Sequence, residues 1–381
     1  MRILVLNPGS SSLKYQVRET NSANDTQEVI ASGHVGWTDQ HQDRLNTLSA
    51  VLDEVDEITA RPDGVGHRVV HGGVHFDGPV RVTAGVVETI KTLSTLAPLH
   101  NPASVESIDV CARHWPGIPQ VAVFDTGFHS TIPDFAARYA IARDAYPDQP
   151  VRRYGFHGIS VAMACQDAAT FLGLPTERLN AVVAHLGNGA SVTAVEQGRS
   201  MDTSMGMTPL EGLVMGTRTG DLDPSIVLLL QRAGATVDEV DELLNHRSGL
   251  MALAGTPDMR RIEKGVEDGD PSAVLALKVA GYRLAKYIAA YSMVVGGADT
   301  LVFTGGIGEN SALYRQATVS WLGPLGIALN EGRNQTVAGG IRDIGTKSSH
   351  ARVLVVPSDE ERAIANSTVA LLTGNETKGG Q

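Results

Sequence analysis

The stretch from Met1 to Tyr15 constrains the fold of this chain more than any other: an apolar run, Ile3-Leu4-Val5-Leu6, enters Asn7-Pro8-Gly9-Ser10-Ser11-Ser12 and returns through Leu13-Lys14-Tyr15. Consecutive apolar residues bounded by turn residues read as a buried strand, and the return makes a hairpin. The turn gathers backbone N–H groups, hydroxyls and one ammonium around a small volume, which suits phosphate. An ordinary hairpin with a polar turn explains Gly9 and the serines as well. Asn7 and Lys14, flanking the turn, favour the phosphate reading.

A chain of 381 residues exceeds the size at which one core usually keeps growing, so two domains are expected. The net charge of −11 provides no general basic field for nucleic acid or an anionic membrane. Any phosphate site is therefore a local pocket. Cys111 and Cys165 are too few for a disulfide framework and read as buried apolar fillers in a reducing compartment, with a single bridge left open. No uncharged apolar run approaches the ~20 residues that span a bilayer, and no basic leader precedes the first strand. A cytoplasmic protein is expected.

Strand-like runs at 2–6, 66–70 and 120–124 alternate with helical stretches such as 102–115, an α/β pattern. The segment 142–153, with Tyr146-Pro147-Asp148-Gln149-Pro150, lacks apolar periodicity and reads as a connection, which places a boundary near residue 148. Asp223-Pro224 and Asp270-Pro271 each offer an N-cap followed by proline, and Thr236 with Glu239 and Ser358 with Glu361 have capping-box spacing. A long, mostly apolar helix runs from Pro271 to Val295 before Gly296-Gly297, buried in the core or against a second subunit. The run from Ala181 to Val192 repeats the opening plan: strand, Gly-rich turn, returning strand. Either two hairpins coincide or two domains grip a nucleotide through matching turns.

No G-x-x-x-x-G-K-[ST] and no G-x-G-x-x-G after a strand occurs, which argues against a P-loop and a dinucleotide-binding Rossmann site. His67 and His71 are four apart, but Val69-Val70 between them favours a strand, where four residues span about 13 Å, too far to share one ion. Arg68 can present a fork to a carboxylate or phosphate, or form a surface ion pair. Asp125 ends a strand where it either faces the ligand crevice of an α/β sheet or caps the next turn. His157 stands between Gly155 and Gly158, where backbone can approach a ligand, and Arg218 lies in a Gly-flanked loop suited to anions. Phe303-Thr304-Gly305-Gly306-Ile307-Gly308-Glu309-Asn310 is a strand opening through glycines into a helix, the best anion site among these loops.

Together these residues resemble the acetate kinase family over nearly the whole chain. Asn7 to Lys14 and Gly66 to Gly73 look like its two signatures. Leu99-His100-Asn101-Pro102, the Asp125 segment, Tyr154 to Gly158, His185 to Gly189, Met201 to Asp223, Gly305 to Ser311 and Asp359-Glu360-Glu361 resemble further family motifs in order. The resemblance implies two ribonuclease H-like domains of the actin-like ATPase superfamily around a nucleotide cleft, at 1–148 and 149–365, the first completed by a C-terminal helix at 366–381. It also implies a homodimer.

The implied reaction is reversible transfer of the ATP γ-phosphoryl group to acetate, giving ADP and acetyl phosphate, with Mg²⁺ or Mn²⁺. By the resemblance Arg68 binds the acetate carboxylate, Arg218 and His157 stabilise the moving phosphoryl group, and Asp125 orients metal water or an arginine. Asn7 and Glu360 look like the Mg²⁺ site, with Glu361 as the neighbour confusable with Glu360. Ser10, Ser12 and Lys14 with His185, Leu186, Gly187, Asn188 and Gly189 match contacts to the ATP phosphates. Asp258, Met259 and Arg260 with Gly306, Ile307, Gly308, Glu309 and Asn310 match the nucleoside side.

Val70, Leu99, Phe156 and Pro209 match a small pocket for the acetate methyl, which discriminates against one methylene by about 1–3 kcal/mol. Propionate is therefore the alternative acceptor, and the wording of the motifs disfavours butyrate. A regulatory or chaperone-like ATPase without an acyl acceptor is the alternative from another class. One departure stands out: the family commonly has a second histidine four positions after His157, where this chain has Val161, a residue that reads as helix packing.

Overall fold

The computed structural model describes residues 1–9, 12–21, 26–38, 40–98, 100–142, 144, 146, 150–336 and 339–374. The chain divides into two units, Met1–Ser130 with Asp359–Gln381, and Thr131–Ser358. The sequence placed the divisions near 148 and 365. Residue 148 lies outside the described residues, and the helix that joins the first unit starts at Glu360, not at 366.

In the first unit the strands are β1 (Arg2–Pro8), β2 (Ser12–Asn21), β3 (Thr26–Gly36), β4 (Gly64–Val69), β5 (Val80–Arg81) and β6 (Gln120–Phe124). They form one sheet in the order β3-β2-β1-β4-β6-β5. The first three strands are an antiparallel meander, β1, β4 and β6 are parallel, and β5 is an antiparallel edge. Ile3, Leu4, Val5 and Leu6 of β1 are fully buried, as expected for a central strand covered on both faces. The helices His41–Ile58 and Asn101–His114 pack on one another, and the helix Glu360–Thr373 packs on β1 and β4.

The second unit contains β7 (Ala181–Leu186), β8 (Ala190–Glu196), β9 (Arg199–Thr203), β10 (Thr300–Thr304), β11 (Arg342–Asp343) and β12 (Arg352–Val355), ordered β11-β12-β10-β7-β8-β9. Its β7, β8 and β9 are again an antiparallel meander, β10 and β12 run parallel to β7, and β11 is the antiparallel edge. The echo between the two hairpins is thus one corner of a repeat that covers both sheets.

Local signals set several helix ends. Asp270 accepts from the Ser272 N–H with Pro271 at the first turn, and Thr236 with Glu239 forms the full capping box. Ser358 departs from expectation: Asp359 caps the last helix by accepting from Arg362 N–H at 2.9 Å, and Ser358 gives its N–H and hydroxyl to Glu309. The Asp223 carboxylate accepts from Ser225 N–H, but Pro224 holds the cap position of Ser225–Arg232. The helix Pro271–Val294 buries Ala276, Ala280, Leu284 and Ile288 along one face and leaves Leu275, Tyr282 and Met293 exposed. Among the described residues no helix is long and apolar enough to cross a membrane. Both cysteines are free and buried.

Candidate active site

In the first unit a strand and a helix are matched in period. Gly64, Gly66 and Arg68 share one face of β4, since alternate residues of a strand point the same way at about 6.6 Å spacing. Four helical residues rise about 6 Å. The helix Glu360–Thr373 runs along β4 past both glycines. A Cβ on Gly64 would lie 2.6 Å from Leu372 Cδ1, and one on Gly66 would lie 2.5 Å from Thr368 Oγ1 and 2.7 Å from Ile364 Cγ2. One helical turn beyond Ile364 lies Glu360, beside Arg68. Two missing side chains let the helix come close enough to deliver its acidic N-terminus to the end of the sheet.

At that end Arg68 donates from Nη2 to Asp125 Oδ2 at 2.6 Å and from Nε to both carboxylate oxygens at 3.1 and 3.2 Å. Its Nη1 donates to Asn7 Oδ1 at 3.0 Å, and Asn7 Nδ2 donates to Glu361 Oε1 at 2.9 Å and Glu360 Oε2 at 3.2 Å. Glu360 Oε2 also lies 3.9 Å from Arg68 Nε. Burial pushes the Asp125 carboxyl up and Arg68 opposes it. Burial likewise works against the Arg68 cation, but Asp125 and Glu360 outweigh it and hold the guanidinium above its ordinary value. The Arg68 direction governs, because three bonds donated by a cation to both oxygens stabilise the ionised carboxylate over its protonated form.

The arrangement refines several expectations. Arg68 is engaged side-on by Asp125, so only the N–H groups left on Nη1 and Nη2, from a guanidinium total of five, remain for an incoming carboxylate. Asn7 Oδ1 is occupied by Arg68, and both Glu360 and Glu361 face its amide. With Asp125 ionised, three carboxylates stand against one guanidinium, a charge balance suited to a divalent cation. No group of three or more His, Cys, Asp or Glu placed to hold a metal is found among the described residues. Two carboxylates with water and phosphate oxygens still make a normal Mg²⁺ environment. Lys14 is exposed directly opposite Asn7 in the β1–β2 register, hence on the same face. Gly9 N–H closes the turn on the Ser12 carbonyl at 2.7 Å. Ser10 and Leu99 lie outside the described residues. Val70 is buried just beyond β4, and His67 is fully buried with Nε2 2.7 Å from Gln120 Oε1, which excludes it as an exposed ligand.

In the second unit the turn between β7 and β8 is the centre. Gly187 N–H binds the Gly189 carbonyl at 2.9 Å, and Gly216 N–H binds the Asn188 carbonyl at 2.9 Å. Any side chain at Gly216 would collide with Asn188 Oδ1, so the Arg218 loop and the turn close on each other through a glycine. A Cβ on Gly189 would sit 3.5 Å from both Arg218 Nη1 and His157 Nε2. Thus His157, Arg218 and the turn surround one spot. His157 has φ 60°, a left-handed conformation reached between Gly155 and Gly158. Such a conformation costs an L-residue about 1–2 kcal/mol and marks a constrained position.

The His157 ring stacks on His185 with centroids 4.2 Å apart; its Nδ1 is 3.0 Å from Ser191 Oγ, and His185 Nδ1 is 2.8 Å from Ser160 Oγ. Ser160 and Ser191 are members of the site that the sequence reading missed. Their only signal was spacing, three residues after His157 and two after Gly189. Val161 is fully buried on the helix Gly158–Leu172, in keeping with packing.

Arg218 donates from Nη1 to the Pro209 carbonyl at 3.1 Å and lies 3.9 Å from Met215 Sδ. Within its unit no carboxylate among the described residues pairs with it, and burial alone pulls the guanidinium below its ordinary value. A half-buried cation without a counter-charge is a receptor for an anion. Phe156 is buried beside His157, and Pro209 contributes its carbonyl.

The Gly305 loop forms the short helix Gly305–Asn310, whose last carbonyls accept from Arg315 and Arg342. Asn310 Nδ2 donates to Gly306 O, and a cavity of ≈ 340 Å³ is lined by Glu309, Asn310, Arg315, Asn334 and Arg342 among others. Asp258 caps the helix Met259–Glu267 and pairs with the exposed Arg260. Met259 is buried.

The acetokinase family matches residues 34–366. Acetate kinase of Arthrobacter sp. (strain FB24) is 51% identical over 384 residues, covering 98% of this chain and 99% of that one. The crystal structure of Porphyromonas gingivalis acetate kinase superposes with a TM-score of 0.88 at 35% identity, over 97% of this chain and 99% of that one. A propionate kinase from Francisella tularensis subsp. tularensis superposes with a TM-score of 0.87 at 39% identity, covering 97% and 99%. Matches of this length, over two sheets of the same construction and all of the motif loops, show that the chain belongs to the acetokinase family.

Proposed function

We propose that this protein transfers the γ-phosphoryl group of ATP to acetate, reversibly, forming acetyl phosphate and ADP. The observation that carries the chemistry is Arg218, a half-buried guanidinium with no carboxylate partner among the described residues of its unit, set against the Gly189 turn and His157. Acetate is ionised at neutral pH, so the nucleophile needs no general base; the obstacle is repulsion between two anions. An acetate oxygen attacks the γ-phosphorus as the bond to the β–γ bridging oxygen breaks, and ADP departs with that electron pair. Arg218 and His157 donate to the equatorial oxygens in flight.

Each unit supplies half of that chemistry. In the first, the remaining Arg68 N–H groups take the acetate carboxylate while Asp125 fixes the guanidinium plane. Glu360 and Glu361, oriented by Asn7, are the groups that would hold Mg²⁺ or Mn²⁺, largely through water. The metal when bound neutralises phosphate charge. In the second, Gly187, Asn188 and Gly189 with His185 and Leu186 receive phosphates, as do Ser12 and Lys14 of the first unit. Asp258 to Arg260 and Gly306 to Asn310 form the nucleoside side, and the cavity at Glu309 and Asn310 supports that reading.

The propionate kinase among the similar structures favours propionate as a second acceptor. We also propose a homodimer: the helix Ser225–Arg232 buries none of its residues and exposes Ile226, Leu228 and Leu229. The test of function is acyl hydroxamate formation from ATP, Mg²⁺ and hydroxylamine with acetate, propionate or neither. Acetate-dependent product is expected, with less from propionate. Release of ADP without acetate and without hydroxamate would refute the assignment. Light scattering on the eluted protein reads the subunit number.

A further inference from the structure

We infer that Glu211 is a positioning residue that locks together the two segments carrying His157 and Arg218. This role rests on the proposed phosphoryl transfer. Glu211 Oε2 accepts the Tyr139 hydroxyl, and Glu211 Oε1 accepts from Arg153 Nη2 at 2.9 Å. Arg153 in turn donates from Nη1 to the Thr203 carbonyl at 2.6 Å and the Met205 carbonyl at 3.3 Å, and its Nε lies 3.4 Å from Asp202. The backbone repeats the connection: Tyr154 and Gly155 N–H both bind the Gly206 carbonyl, at 3.0 and 3.2 Å. One clamp therefore joins 153–155, which lead directly into Phe156 and His157, to 203–211, which contain Pro209 and lead into the Arg218 loop.

Gly206 shows how closely the clamp is fitted. Any side chain there would collide with both the Glu211 carboxylate and the Tyr139 hydroxyl, so the chain passes beneath the bond at a residue without one. Beyond Glu211, Gly212 N–H binds Asp221 Oδ1 at 2.8 Å and Asp221 Oδ2 accepts the Tyr287 hydroxyl at 2.9 Å, holding the far end of the same loop. Arg218, which keeps one carbonyl and one thioether as partners, depends on its loop for position.

The inference distinguishes geometry from charge. Glutamine at 211 keeps an oxygen for Arg153 and an amide able to reach the Tyr139 oxygen; alanine keeps neither. Three variants, Glu211→Ala, Glu211→Gln and Tyr139→Phe, are compared with the unaltered protein in the hydroxamate assay, with kcat and KM for acetate and ATP measured separately and thermal unfolding recorded for each. Glu211→Ala is expected to lower kcat by tenfold or more with both KM values within about twofold. Glu211→Gln should recover most of that loss, and Tyr139→Phe should lower kcat by about threefold while its melting temperature stays near that of the parent. An unchanged kcat in both Glu211→Ala and Tyr139→Phe overturns the inference. So does a Glu211→Gln variant as slow as the alanine variant. If Glu211→Ala fails to fold, the Tyr139→Phe and Glu211→Gln results decide alone. Absence of acetate-dependent product from the unaltered protein would instead refute the proposed function.

Discussion

Substituting Gly66 by alanine puts a single methyl group where β4 meets the helix Glu360–Thr373. The added Cβ would lie 2.5 Å from Thr368 Oγ1 and 2.7 Å from Ile364 Cγ2. Ordinary van der Waals contact requires about 3.5–4.0 Å, so the helix must retreat by roughly 1 Å. Overpacking of this kind costs about 1–3 kcal/mol. A retreat of that size also stretches the Asn7 Nδ2 bonds to Glu361 and Glu360, now 2.9 and 3.2 Å, beyond hydrogen-bond range. Stability and the proposed metal site should therefore fail together. For a unit of this size each kcal/mol is worth about 2–4 °C, so calorimetry should show melting lowered by about 2–12 °C. The Mg²⁺ concentration for half-maximal activity should rise several-fold. Adding Thr368→Ala removes the nearest overlap and should restore part of both. A Gly66→Ala protein with parental melting and an unchanged Mg²⁺ requirement would refute the argument that close approach of this helix sets the acidic site.

Three further outcomes are expected. Arg218→Ala should lower kcat by about 10²–10³-fold, the scale for losing one preorganised donor to a transition-state oxygen, and Arg218→Lys should recover little of it; near-parental turnover in a folded Arg218→Ala protein contradicts its role. Glu360→Gln should raise the Mg²⁺ requirement about tenfold or more, and an unchanged titration would remove Glu360 from the metal site. His67, lowered from 6.5 to about 4 chiefly by burial, stays neutral in the fold while the unfolded chain takes up a proton. Its contribution is complete above pH 6.5 and is lost as pH falls toward 4, by about 3 kcal/mol. Unfolding titrations at several pH values should show that slope, and His67→Gln should flatten it; an equal slope in both proteins refutes the assignment.

Much of the fold was legible because it is written locally. The strand β6 at Gln120–Phe124, the capping box at Thr236 and the Asp270-Pro271 helix start depend on residues a few positions apart. The boundary near 148 was read from a polar, proline-rich stretch, which reports a lack of periodicity and says nothing about which unit its flanks pack on, whereas the two units divide between Ser130 and Thr131. Ser358 misled for a related reason: Asp359 is the better competitor for the cap, and Glu309 had already claimed the serine.

What the sequence by itself determined is the set of parts: two strand-turn-strand hairpins, a histidine between glycines, arginines in loops suited to anions, and a repeated α/β plan. Tertiary structure alone decided how the parts are used. Asn7 meets Glu360 across 353 residues, and Arg68 meets Asp125 across 57, so no local pattern could reveal that Asp125 occupies the side of the Arg68 fork or that Glu361 shares the Asn7 amide. Nor could it show that Arg218 has no carboxylate partner among the described residues of its unit, or that Glu211 ties its loop to the His157 segment. Hairpins and caps close within a few residues and are specified by backbone preference, whereas the charge state and freedom of a buried group depend on what packing brings to it.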